Sequence, residues 1–259
     1  MADPKTKPSE PGGEMSEARK MLNIFFGNFD GTDDRDCFQV FMMKNLHETF
    51  QSGVFQGSRL LDLGTGPSIM SLLSASKYFP EITCSDSSQV NRDELQKWLD
   101  GDPDVFDWTP YLQYASKLEG NSYTPDDIAS RVRAAVKAVI PCDVTQSSPL
   151  SSRVDPFDIV GSFFHAEFAC TTSDQYCAAV KNMTSLLKHG GGLIISGDFK
   201  NNPIAGKENF SATFNTELFR ETLASCGFTD VDNGKELQKI VTCGLLQASG
   251  PHVRLAGFS

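Results

Sequence analysis

Two glycines and two acids, spaced like a strand, a turn and a second strand, are the residues of this chain best suited to ligand chemistry. Gly64 and Gly66 follow the short run 59–63, in which Asp62 is the acid. Glycine at such a turn lets the backbone approach a ligand closely because no Cβ is in the way. Asp86 ends the next short run, where an acid can accept hydrogen bonds from both hydroxyls of a ribose. The pattern predicts a nucleoside-binding site on a doubly wound sheet.

The other residues of this turn narrow the kind of nucleoside. Ile69 stands where the dinucleotide fingerprint needs a third glycine, and Pro67 removes an amide that a pyrophosphate would use. Asp62 would repel a phosphate, but it can accept a hydrogen bond from an ammonium group. S-adenosylmethionine has a ribose, an ammonium group and no phosphate, so the turn favours it, and an NAD-dependent dehydrogenase is disfavoured. For the glycine pair taken alone, an ordinary turn without a ligand is the alternative.

Composition and charge limit the class of protein. The 259 residues, 39% of them hydrophobic, can form one large α/β domain. A net charge of −10 argues against nucleic acid and anionic membrane surfaces as partners, and would attract a cationic small substrate. Seven cysteines without a C-x-x-C pair favour a reducing compartment, and the scattered histidines predict no metal site. With no signal peptide or membrane helix in the pattern, we expect a cytoplasmic protein.

The order of elements predicts the fold class. Residues 1–14 are rich in Pro, Gly and charge, which is typical of a disordered tail, and 15–259 is predicted to be one domain. Within it, 15–56 is predicted to be a helical lid, with helices starting near Ser16 and Asp33. Strands and helices then alternate, which predicts an α/β, doubly wound, mainly parallel seven-stranded Rossmann-like sheet. Strands are predicted at 59–63, 81–85, 138–142, 157–161, 192–198, 237–243 and 252–258, and helices at 68–78, 89–99, 111–118, 125–138, 174–188 and 215–225.

Ligands of an open α/β sheet bind beyond the carboxyl ends of its strands. Those strand ends supply most of the predicted cofactor contacts, which are Asp62, Gly64, Thr65, Gly66, Ser68, Asp86, Ser87, Asn91, Asp143, Val144 and Phe163. For Asp143 the functional interpretation is a hydrogen bond to an adenine amino group, and the alternative is a turn cap.

Two acids are candidates for catalysis, Glu167 and Asp198. An amine must be neutral to attack a methyl group, and a carboxylate can orient it and take up its proton. Each acid could instead be a solvated or capping carboxylate, and positioning of the two reactants could supply the rest of the catalysis. His165 is a second candidate base, although a single loop histidine more often has no chemical role.

Several short motifs follow one another along the chain. They are 57–69, Leu72-Leu73-Ser74-Ala75, Glu94-Leu95-Gln96-Lys97-Trp98-Leu99, Phe106-Asp107-Trp108-Thr109-Pro110, Leu118-Glu119-Gly120-Asn121 and Cys142-Asp143-Val144-Thr145-Gln146. Their order and spacing resemble one family of enzymes, the small-molecule N-methyltransferases that act on nicotinamide, phenylethanolamine and indolethylamine. The resemblance runs from about residue 16 to residue 230 and implies a methyltransferase fold, S-adenosylmethionine as cofactor, a monomer, and Glu167 facing the substrate. It also implies that Asp86 holds the ribose and that Asp143 and Val144 hold the adenine.

The chain departs from this family at positions where tyrosines contact the cofactor. The family's N-terminal helix carries tyrosines, whereas the matching run of this chain, 21–26, ends in Phe26 and has no hydroxyl. Met70 stands in the place of another family tyrosine, just after the glycine turn. Phe26 and Met70 are still predicted to contact the cofactor, through apolar atoms. Pro203 and Ile204 replace a later tyrosine pair. The leading hypothesis is an N-methyltransferase for a small amine or N-heterocycle. The alternative is a catalytically impaired relative that binds the cofactor and acts as a sensor or partner protein.

Overall fold

The computed structural model describes residues 15–34, 37–196, 216–228, 243–247 and 255–256. The predicted tail 1–14 lies outside these ranges. The helices are α1 Glu17–Phe26, α2 Phe38–Gln51, α3 Met70–Ala75, α4 Gln89–Asp100, α5 Thr109–Leu118, α6 Pro125–Ala135, α7 Ala166–Ala169, α8 Ser173–Thr184 and α9 Thr216–Ser225. The strands are β1 Arg59–Leu63, β2 Glu81–Asp86, β3 Val136–Pro141, β4 Phe157–Phe163, β5 Leu187–Ser196, β6 Cys243–Gln247 and β7 Leu255–Ala256. Within these bounds no helix is both long and apolar enough to span a membrane.

The strands form a sheet in the order β3-β2-β1-β4-β5-β6-β7. Strands β1 to β5 pair in parallel, whereas β6 and β7 are antiparallel. The chain moves from β1 outward through β2 and β3, then returns to the other side of β1 with β4. The strand order therefore reverses between β1 and β4, which is where open α/β sheets bind ligands. The predicted fold class, a doubly wound and mainly parallel α/β sheet, is confirmed.

Some predicted boundaries were wrong. The helix predicted over 68–78 is only α3, because the turn extends through Ser68, whose Oγ accepts a hydrogen bond from the amide of Met70. The helix predicted to reach residue 188 ends at Thr184, and β5 begins at Leu187, since periodicity does not separate short apolar runs of helix and strand. The strand predicted at 237–243 overlaps β6 only at Cys243, and its other residues lie outside the described ranges. Helix α7 was not predicted.

Helices cover both faces of the sheet, which explains why its central strands are almost continuously apolar. Leu60 and Ile82 point to one face and belong to a core with residues of α2 to α6. Leu61, Leu63 and Val160 point to the other face and belong to a core with residues of α8. Burial on both faces fixes the register of β1 and thereby the position of the turn that follows it.

The first helix is held against the body by an ion pair. The Nε atom of Arg19 lies 2.6 Å from an oxygen of the buried Glu94 in α4, and its Nη2 donates to the carbonyl of Asp104. Leu22 is buried beside this pair. The terminal methyl of Met21 lies 3.8 Å from the position that a Cβ would take at Gly66, so α1 lies beside the glycine turn. The division into a lid over 15–56 and one domain over 15–259 stays a prediction.

If the Arg19 ion pair fixes α1, Arg19→Ala will lower the free energy of unfolding by about 3 kcal/mol, because it leaves the Glu94 carboxylate buried and unpaired. Lys20→Ala is the matched control, since Lys20 pairs with the exposed Glu17 and its loss should cost less than about 0.5 kcal/mol. Urea denaturation of both variants measures the difference. Equal losses in the two variants would contradict this role of Arg19.

Candidate cofactor site and active site

The turn after β1 has a backbone that only glycine adopts easily. Gly64 and Gly66 have φ values of +79° and +65°. The amides of Gly64 and Thr65 both donate to the carbonyl of Ser85, at 2.7 and 2.9 Å. The hydroxyl of Thr65 donates to the carbonyl of Asp62 at 2.9 Å. The two amide bonds connect the turn to the end of β2, and the hydroxyl bond connects it to β1.

The Asp86 carboxylate connects this turn to the start of α4. Its Oδ2 accepts a hydrogen bond from the amide of Gly66 at 3.0 Å. Its Oδ1 accepts from the amide of Ser88 at 2.8 Å and from the side chain of Asn91 at 3.0 Å. A carboxylate can accept about four hydrogen bonds, so Oδ2 keeps the capacity to accept one from a ribose hydroxyl. Ser87 is exposed next to it.

Asp62 is the most unusual acid of the site, because it is buried with only one oxygen bonded. The residue is 1% exposed, and the hydroxyl of Ser71 donates to its Oδ2. Its Oδ1 has no hydrogen-bond partner in the described part of the chain. Burial raises the pKa of Asp62 to about 7. The hydrogen bond from Ser71 and the nearby Thr65 hydroxyl oppose this rise, and the charge of Asp86 adds to it. A buried polar atom without a partner marks a place where a ligand can donate.

Asp143 has the contacts that its alternative interpretation, a turn cap, predicts. Its Oδ1 accepts from the amide and hydroxyl of Thr145, at 2.9 and 2.6 Å, and its Oδ2 accepts from Gln146 at 3.3 Å. These bonds, the Thr145 side chain first, hold the pKa of Asp143 below its usual value. The next residue, Val144, is buried, and its carbonyl accepts from Asn182. Contact of Asp143 and Val144 with adenine stays a prediction.

The apolar residues predicted to contact the cofactor pack against the protein. Met70 is buried at the start of α3, beside Ser68. The ring of Phe163 folds back over β4, 2.7 Å from the place of a Cβ at Gly161. The ring of Phe26 contacts Trp108, with their centroids 5.6 Å apart. For these residues a contact with the cofactor stays a prediction.

His165, which the sequence indicated only as a second candidate base, lies at the glycine turn. A Cβ at Gly64 would overlap the His165 ring, so the imidazole lies directly against this glycine. The Nε2 atom is buried and has no hydrogen-bond partner among the described residues. Burial lowers the pKa of His165, and the charges of Asp86 and Asp143 act in the opposite direction. The only signal in the sequence was its place just after a strand end.

The structure does not test the two predicted catalytic acids. Glu167 belongs to α7 by its backbone, two residues after His165, and its side chain lies outside the described part. Asp198 follows β5 and also lies outside the described residues. Their catalytic roles stay predictions.

The strand order and the glycine turn define the fold of S-adenosylmethionine-dependent methyltransferases. Among solved structures, the chain is similar to magnesium protoporphyrin IX methyltransferase from Synechocystis with bound S-adenosylhomocysteine. The TM-score is 0.51 at 14% identity, and the match covers 92% of this chain and 90% of that chain. At this identity the likeness shows the fold alone, and it confirms the predicted fold class.

Comparison of the sequence with known proteins identifies the family to which the chain belongs. Residues 14–249 match the NNMT/PNMT/TEMT family. The chain is 38% identical to rabbit (Oryctolagus cuniculus) indolethylamine N-methyltransferase over 213 residues, 81% of each chain. It is 39% identical to human nicotinamide N-methyltransferase, over 73% of this chain and 72% of that protein. It is 34% identical to human phenylethanolamine N-methyltransferase, over 72% and 68%. The chain belongs to this family, which confirms the predicted resemblance, the enzyme class and the cofactor S-adenosylmethionine.

The burial of Asp62 generates a prediction about stability and pH. Folded wild-type protein holds a proton on Asp62 up to about pH 7, whereas an ordinary aspartate loses it near pH 3.8. Because the folded state binds more protons in this range, wild-type stability falls as pH rises from 3.8 to 7. Asp62→Asn avoids that fall, so its free energy of unfolding relative to wild type should rise by about 1 kcal/mol for each pH unit. Urea denaturation at pH 5, 6 and 7 measures this difference.

The exposed Asp155 supplies the control for this measurement. Asp155→Asn should differ from wild type by a small amount that does not change between pH 5 and pH 7. A pH-independent difference for Asp62→Asn would show that the Asp62 carboxyl titrates like an exposed aspartate, and would contradict the prediction.

Proposed function

We propose that this chain transfers the methyl group of S-adenosylmethionine to the nitrogen of a small amine or N-heterocycle by direct displacement. The observation that carries the proposal is the buried Oδ1 of Asp62, which lacks a partner among the described residues and lies behind the glycine turn. The cofactor offers an ammonium group that can donate to this oxygen and a ribose that can donate to Asp86. It carries no phosphate, which an acid in the place of Asp62 would repel.

The protein's part in the reaction is mainly to bind and orient two reactants. The cofactor supplies an electrophilic methyl group on a sulfonium, and the acceptor nitrogen must approach it in line and uncharged. Glu167, two residues after His165 on α7, would orient the amine and take up its proton, directly or through water. Asp198 is a weaker candidate for the same role. Holding the two reactants in this geometry supplies most of the rate.

The substrate class is inferred from the relatives and from the charge of the chain. The relatives reported above are named for indolethylamine, nicotinamide and phenylethanolamine, which are small amines or an N-heterocycle. A net charge of −10 favours the approach of a cationic amine. Phe26 and Met70 replace tyrosines of the family, and each missing hydroxyl bond would cost about 1 kcal/mol of cofactor affinity. Cofactor binding would therefore depend more strongly on the acids of the glycine turn.

The same proposal includes a cytoplasmic monomer that binds no nucleic acid. The acidic charge favours this, because a nucleic-acid surface would need a basic stripe. The described cysteines, Cys37, Cys84, Cys142, Cys170, Cys177 and Cys226, are all free thiols, in keeping with a reducing compartment.

The catalytic assignment is tested with Glu167→Gln. The enzyme is first assayed on a panel of primary, secondary and heterocyclic amines for formation of methylated product. With an accepted amine, the variant should lose about 100-fold in kcat, because the amide cannot take up a proton. Its affinity for S-adenosylmethionine in calorimetry should stay within about twofold of wild type, since in this proposal the residue contacts the amine and not the cofactor. Asp198→Asn should have a smaller effect on kcat.

Glu48→Gln is the matched control, because Glu48 is exposed on α2 and should not affect turnover. Unchanged kcat in Glu167→Gln would show that another group orients the amine. Tight binding of S-adenosylmethionine without turnover of any amine would contradict the enzyme function. Light scattering of the same preparation should give the mass of one chain, 28.3 kDa, and a larger mass would contradict the monomer.

A further inference from the structure

Three strand ends meet around His165. Its imidazole lies against Gly64, in the turn that follows β1. Its charge state is influenced by Asp86 at the end of β2 and by Asp143, which follows β3. His165 itself follows β4. The side chain is therefore at the switch point of the sheet, where the ligand of a doubly wound fold binds.

The Nε2 atom of His165 is buried and lacks a hydrogen-bond partner among the described residues. A buried polar atom left without a partner destabilises the folded protein, and few such atoms persist in native proteins without a reason. The Oδ1 atom of Asp62, at the base of the same turn, is in the same condition. Asp62 precedes the glycine turn in β1 and His165 lies against Gly64, so one polar ligand at this turn would explain both unsatisfied atoms.

We propose that His165 forms one wall of the S-adenosylmethionine site and that its Nε2 atom makes a hydrogen bond to the bound cofactor. The inference rests on the proposed cofactor site and adds to it a contact that the sequence did not predict. It also supplies a polar contact in a chain whose first helix, which ends at Phe26, lacks the tyrosine hydroxyls that the family resemblance implies.

A neutral imidazole suits this position. Burial favours the uncharged ring and lowers the pKa of His165, and this effect outweighs the opposite effect of the two acids Asp86 and Asp143. An uncharged ring does not repel the sulfonium of S-adenosylmethionine. The hydrogen bond should therefore contribute about equally to binding of the cofactor and of its demethylated product, S-adenosylhomocysteine, which lacks that charge.

The test compares His165→Ala and His165→Gln by calorimetry with S-adenosylmethionine and with S-adenosylhomocysteine. Loss of one hydrogen bond should raise Kd about tenfold for both ligands in His165→Ala. His165→Gln, which can still bond, should stay within about threefold of wild type. His189→Ala is the matched control, because His189 is exposed near the amino end of β5.

A spectroscopic readout separates a direct contact from a structural role. In protein labelled with ¹⁵N-histidine, the Nε2 signal that disappears in His165→Gln should shift on addition of S-adenosylhomocysteine, whereas the signals of His47 and His189 should not. An unmoved signal, or binding by His165→Ala as tight as wild type or tighter, would overturn the inference. If wild-type protein binds neither nucleoside, the proposed cofactor site fails as well, which is a different result from binding that is independent of His165.

Discussion

The most demanding constraint in this structure is the Asp62 carboxyl group, which β1 carries into the interior with only one oxygen bonded. Burying a carboxylate without a full set of partners is costly, and its raised pKa is the expression of that cost. Hydrophobic residues on both sides of it in β1 prevent it from moving to solvent. We propose that the ligand explains this burial, because a donor of the cofactor predicted to bind at the adjoining turn would satisfy the second oxygen of Asp62.

The rest of the site depends on that placement. The glycine turn must pass over Asp62, and it is held there by Ser85 and by the carboxylate of Asp86. Asp86 also fixes the first turn of α4, whose Glu94 pairs with Arg19 of α1. The hydrogen bonds and the ion pair thus connect the first helix to the turn through one acid at the end of β2. These contacts hold α1, which is part of the predicted lid, in a fixed position relative to the glycine turn, where the cofactor is predicted to bind.

Much of this site could be predicted from the sequence because it is local. The apolar run of β1, the two glycines and the strand-end position of Asp86 are short patterns with direct physical meaning. The role of the Asp143 side chain could not be predicted in the same way, because an acid just after a strand is expected both in a cofactor site and in a turn cap. For His165 only a role as a candidate base could be suggested, since its burial depends on packing against Gly64, far away in the chain. The boundary between α8 and β5 was missed because neighbouring apolar runs have no clear period.

We propose that the buried Asp62 carboxylate binds the ammonium group of the cofactor. Calorimetric titration of S-adenosylmethionine into wild type and Asp62→Asn at pH 8 tests it most directly, because the wild-type carboxyl is ionised there. Loss of a charge-assisted hydrogen bond of about 1.5–3 kcal/mol predicts a Kd at least tenfold higher in the variant. Equal affinities would show that Asp62 does not bind the cofactor, and would contradict this explanation of the site.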